Sequence, residues 1–215
     1  MGHRTIEWEL RGYFMGSKMQ TGLLLILGTI VSLVGWMAIY PGGDSPTAET
    51  AAKLMADPIL AKLGMLMGFG GMGAVFIGFL NISRKMAAGD GAGSSYANIS
   101  AIMAMTLVVM MAIGISIEWA VTEASDATEG ARLMLHSGAL ETSFNLAGGL
   151  LMVLLGIGII LEKNFHMIIG GLAVVAGACF LLGNVDAVDF VGFFGFIGMM
   201  LVALALGVQT LRSKS

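Results

Sequence analysis

The chain has 215 residues, 57% of them hydrophobic and only 12% charged, with a formal net charge of -3. Soluble domains average about 25% charged residues, so the composition argues against a soluble fold, and with no basic stripe a nucleic-acid role is unsupported. The single cysteine, Cys179, rules out an intrachain disulfide and any cysteine-based metal cluster or redox pair.

Residues 1–20 mix Trp8, Tyr13 and Phe14 with basic side chains, which suits a cytoplasmic segment lying at the inner membrane interface. Met15 and Met19 are alternative start sites. Six apolar runs follow, over about 21–40, 59–82, 97–121, 139–161, 165–183 and 190–211, leaving 212–215 as a tail. A helix needs about 20 apolar residues to cross the hydrocarbon layer. A membrane β-barrel would alternate with period two, and these runs do not. The expected fold is therefore an all-α integral membrane protein, a bundle of six transmembrane helices. The first run is longer than the apolar part of a signal peptide, and no small-x-small site follows it. It reads as a retained anchor.

Between the first two runs, Ser45-Pro46 and Asp57-Pro58 each carry a cap-then-proline signal for a helix start. The first should open a helix at the membrane surface, the second the next span. The stretch after the third run is the most polar of the chain. There Asp126 and Glu129 have capping-box spacing for a short surface helix. The last two links, "EKN" and "NVDAVD", are short enough to force antiparallel neighbours. No convincing inverted repeat relates the two halves, and no proline lies inside a span.

Basic residues favour the cytoplasmic side. With both termini inside, the inner segments hold Arg4, Arg11, Lys18, Arg84, Lys85, Lys163, Arg212 and Lys214, eight of the eleven basic residues. Lys53, Lys62 and Arg132 remain outside. Both termini are expected to be cytoplasmic, in the cell membrane.

Glycine, at 32 residues, is the commonest packing signal. Gly64 and Gly68, Ala173 and Gly177, together with Gly114 and Gly195, are expected to let helix backbones approach closely. The 18 methionines read as core filler rather than soft-metal ligands, because their spacing does not gather them on shared faces. His136 and His166 fall at opposite membrane faces, so they cannot share a haem. HExxH and GxxxxGK motifs are absent. No cofactor is expected.

The acids at the outer ends carry the candidate chemistry. Glu118 closes a long uncharged run, just before Trp119, and shares a helix face with Gly114. Glu141 and Asn145, four apart, share another, and His136 lies at similar height. One reading makes Glu118 a solvated rim below the Trp119 interface and puts Glu141 in a first helical turn, where the dipole favours a carboxylate. The other gathers Glu118, Glu141, Asn145 and His136 into an acidic vestibule for a cation, a proton or a polar solute. A metal site from Glu118, His136 and Glu141 is a weaker variant.

The absence of mid-membrane charge, broken helices and cofactor ligands favours a non-catalytic membrane subunit or scaffold packed through its glycine faces. Its expected partners are the lipid bilayer and other membrane subunits or further copies of itself. The alternative is a small transporter or channel with an acidic outer mouth.

Overall fold

A computed structural model describes residues 17–42 and 47–213, and all regular structure in them is helical. Helix α1, Lys18–Val34, opens on Ser17, whose hydroxyl accepts from the Gln20 amide at 3.0 Å, and is prolonged by a π-helical turn over Gly35–Ile39. A short α2, Ala48–Ala56, is capped by Thr47. Helix α3, Pro58–Ala87, starts as its sequence predicts: Pro58 is the first helical residue, and Asp57 Oδ1 accepts from the Leu60 amide at 3.1 Å. Then come α4, Ser94–Val121, α5, Ala127–Glu162, and α6, Met167–Leu182. A 3-10 turn over Asp186–Val188 leads to α7, Val191–Arg212.

Among the described residues five helices are long and apolar enough to cross a membrane: α1 with its π turn, α3, α4, α5 and α7. Helix α6 is apolar but has 16 residues, about 24 Å at 1.5 Å per residue. That falls short of the roughly 30 Å of hydrocarbon. The reading of the first residues as an interfacial segment, and of Ser45-Pro46 as a helix start, lies outside the described residues.

The stretch after α4 corrects one expectation. No short surface helix precedes the fourth apolar run. Asp126 Oδ1 accepts from the Thr128 and Glu129 amides at 2.8 and 2.9 Å, and the helix it starts runs unbroken for 36 residues. Glu129 does not close a capping box on Asp126; its carboxylate takes the Ser125 amide and hydroxyl instead. At about 54 Å, α5 outreaches the hydrocarbon layer by several turns. Those turns pack on α2: a side chain at Gly130 would meet Met55 Sδ at 2.6 Å. Glu141 is therefore a mid-helix residue, far from any dipole end.

Each long helix packs on the next, and α7 closes back on α1, so the six form a ring with α2 at one end. Helices α3, α5 and α7 meet across the middle. Their apolar stretches are 56%, 50% and 44% buried, against 33% for α1 and 28% for α4. Phe76, Phe79, Met152, Leu155, Phe180 and Met199 fill the centre without exposure. Lys18 Nζ reaches the Ser213 carbonyl at 3.5 Å, so the two described chain ends share one end of the bundle.

Around the ring, small residues bring backbones together. A Cβ at Gly177 would lie 2.6 Å from the Gly149 carbonyl, and one at Gly170 would lie 2.9 Å from that of Gly156. Ala173, between them, is fully buried. On α7, a Cβ at Gly195 would stand 2.8 Å from the Phe180 amide nitrogen. Between α1 and α3, Ser32 Oγ donates to the Gly68 carbonyl at 3.0 Å, and a Cβ at Gly68 would meet the Trp36 ring at 2.6 Å. Overpacking of this kind costs about 1–3 kcal/mol. Gly68→Leu should lower the melting temperature in mild detergent, whereas Gly70→Leu, at a position where an added Cβ meets nothing within 4 Å, should leave it unchanged. Equal melting temperatures for the two variants would show that Trp36 yields freely.

Candidate functional site

The end of the bundle that carries α2 holds the site. Glu118 sits on α4, one turn past Gly114, and is 6% exposed. Its two carboxylate oxygens each take one hydroxyl. Tyr40 Oη donates to Oε2 at 2.8 Å, and Ser137 Oγ donates to Oε1 at 3.0 Å. Among the described residues no basic group pairs with it. A buried carboxylate is costly unless its lone pairs are satisfied, and here hydroxyls from two other segments do that.

Three local features deliver those groups. The π turn ends α1 with the Tyr40 amide donating to the Gly35 carbonyl at 2.8 Å. Such turns are rare and concentrate at functional positions. Gly64 lets the Tyr40 backbone lie on α3, since a Cβ there would stand 2.6 Å from Tyr40 Cα. Trp36 wedges edge-on between Tyr40 and Phe69, with centroid distances of 4.7 Å to each. Phe69 in turn covers Gly114, where a Cβ would meet its ring at 3.0 Å. Ala51 and Leu54 of α2 complete an apolar cluster with Met65, Phe69, Val121 and Met134. Ser137 belongs to the part of α5 that extends towards α2.

Outside this cluster lies an exposed polar rim. Lys62 Nζ contacts Glu123 Oε1 at 2.7 Å and stands 4.7 Å over the Trp119 ring, while the indole N–H donates to the same oxygen at 3.1 Å. The Lys62 hydrogen bond, then the Lys62 charge, then the Trp119 hydrogen bond hold the Glu123 carboxyl below the usual range. Lys53 does the same for Glu49 on α2. Being exposed, these pairs add little stability.

The sequence-predicted acids separate on this structure. Glu118 is no solvated rim; that role falls to Glu123. His136 and Glu141 are exposed, Asn145 is half-buried, and none of the three makes a side-chain hydrogen bond among the described residues. The described residues hold no group of three or more His, Cys, Asp or Glu side chains placed for a metal ion, and Glu118, His136 and Glu141 are not gathered into one. Asp189 accepts from the Phe190 amide at 2.7 Å, just ahead of α7.

Sequence reasoning missed both partners of Glu118. Tyr40 is the last residue of the first apolar run, and Ser137 follows His136 in what read as a surface helix. It also missed a second carboxylate contact. Glu162, at the last turn of α5, accepts from the Gly93 amide at 2.8 Å and so serves the start of α4, which has no cap of its own. The signal was the glycine-rich "GDGAG" before a helix, with no Ser, Thr or Asp at the cap position.

No protein-family model, curated protein or solved structure matches the chain. Fold and composition define a class, a multi-pass helical membrane protein in contact with the lipid bilayer.

Leaving a buried polar acceptor without its donor costs about 1–3 kcal/mol. Tyr40→Phe and Ser137→Ala should each lower unfolding stability by that amount. In a Glu118→Ala background the same substitutions should cost under about 0.5 kcal/mol, because contacting residues couple. Equal costs in both backgrounds would show that the hydroxyls do not act through the carboxylate.

Proposed function

We propose that this protein is a non-catalytic integral membrane subunit or scaffold, packed through its glycine-bearing helix faces. The observation that carries the reading is the filled interior. Large apolar side chains from α3, α5, α6 and α7 occupy the middle of the ring, and the buried hydroxyls of Ser83, Ser100 and Thr29 bond to one another or to backbone. Ser83 and Ser100 are 3.0 Å apart, and Thr29 donates to the Leu25 carbonyl at 2.6 Å. Such an interior supports holding a shape rather than passing a solute. Association with other membrane chains is the expected role. Purification in mild detergent should then yield a complex with one or more different membrane chains in fixed ratio. A lone monomer or a homo-oligomer would overturn the scaffold reading.

A second reading, a small transporter for a cation, a proton or a polar solute, has one observation in its favour. Glu118 is a carboxylate buried without a basic partner among the described residues. It is the weaker reading because Tyr40, Ser137 and the apolar cluster close that carboxylate in.

The proposed topology is six spans with both termini cytoplasmic in the cell membrane. It takes α6 as a span made short by tight turns at both ends, and rests on the eight-to-three division of basic residues. In a Cys179→Ala background, a thiol at Asp90→Cys should label only from the cytoplasmic side. One at Thr128→Cys should label only from outside. The opposite pattern would reject this orientation.

A further inference from the structure

A groove of about 680 Å³ runs along the outer face of the bundle between α1 and α3. Leu23, Leu27 and Val31 form one wall, Leu66 the other, and Gly70 and Ala74 part of the floor. Gly70 leaves the floor open, since a Cβ there meets nothing within 4 Å. Towards the end of the bundle that carries the chain ends, the lining turns polar, at Gln20 and Ser17. Nearby, Asn81 Nδ2 donates to Thr21 Oγ1 at 3.3 Å and ties α3 to α1.

Beyond the groove on α3 lie Arg84 and Lys85. They follow Leu66 and Met67, both groove residues, by 18 residues, about five turns at 3.6 residues per turn. The two basic residues therefore continue the same helix face, one turn past Asn81. Both are exposed, and neither forms an ion pair among the described residues. An apolar slot within the hydrocarbon layer thus leads to two cations at its edge. From Ser17 to Val31 the α1 side rises about 21 Å, more than half the thickness of the hydrocarbon layer.

We propose that this groove binds one anionic phospholipid, an acyl chain lying between α1 and α3 and its phosphate facing Arg84 and Lys85. Basic sites between membrane helices recognise anionic head groups, and each basic residue near the surface strengthens binding about fivefold. A second copy of the chain fits less well. Seated symmetrically on this face, it would bring its own Arg84 and Lys85 to the same membrane level, like charge against like.

The test uses the full chain in mild detergent, titrated with phosphatidylglycerol or with phosphatidylcholine of the same acyl chains, and native mass spectrometry of the retained lipid. One phosphatidylglycerol per chain is expected, held up to about 30-fold more tightly than phosphatidylcholine from two such basic residues. The double variant R84Q/K85Q should lose that preference. Gly70→Leu, which fills the groove floor, should weaken both lipids alike while leaving the lipid-free melting temperature unchanged. Equal retention of the two lipids by the wild type would overturn the proposal. So would an undiminished preference in R84Q/K85Q, or a dimer that Gly70→Leu abolishes.

Discussion

Between helices in lipid there is no hydrophobic reward for contact, so close approach has to be made attractive by packing itself. Here the approach goes as far as backbone against backbone. Gly149 faces Gly177 and Gly156 faces Gly170, two antiparallel pairs a heptad apart on α5 and α6. Gly28 and Gly71 do the same for α1 and α3, and Gly22 and Gly207 for α1 and α7. Removing the Cβ at these positions lets long, otherwise featureless helices settle in a single register. The filled centre and the closed ring go with that register, as do polar contacts between helices such as Ser32 to the Gly68 carbonyl.

The Glu118 site shows the dependence directly. Its three contributing segments lie on three different helices, with Tyr40 78 residues from Glu118. Tyr40 reaches Glu118 because the π turn ends α1 against Gly64 and because Gly35 and Gly68 let α1 and α3 touch. Ser137 reaches it because α5 is continuous past the membrane thickness and lies along α4. The carboxylate then links three helices, at the cost of burying an acid. The clamp is a result of close helix packing, and it rewards that packing only when both hydroxyls arrive.

Much of the architecture was legible in the sequence. The apolar runs marked the long helices, and Asp57-Pro58 marked the start of α3. A polar stretch hid the true length of α5, because Arg132, His136 and Glu141 look like a break when helices are recognised by hydropathy. A helix can be polar where it leaves the membrane. Glu118 stands out in the sequence by its isolation in an apolar run, and in the structure it is buried on the face it shares with Gly114. Its partners were invisible, since a lone Tyr and a lone Ser carry no spacing signal. Similar height along neighbouring helices does not make side chains converge: His136 and Glu141 are exposed, whereas Glu118 is buried.

Helix α4 is held to α5 by side-chain hydrogen bonds at both of its ends, through Ser137 to Glu118 and through Glu162 to the Gly93 amide. From Gly93 to Glu118 is 25 residues, and from Ser137 to Glu162 is also 25. The two pins therefore obey one register, like two rivets set at equal intervals through a pair of rods. Sliding α4 along α5 by a single residue would break both at once, and an insertion in either helix between them would leave one unmatched. A rearrangement that keeps both pins carries α4 and α5 together, with the movement taken up elsewhere in the ring.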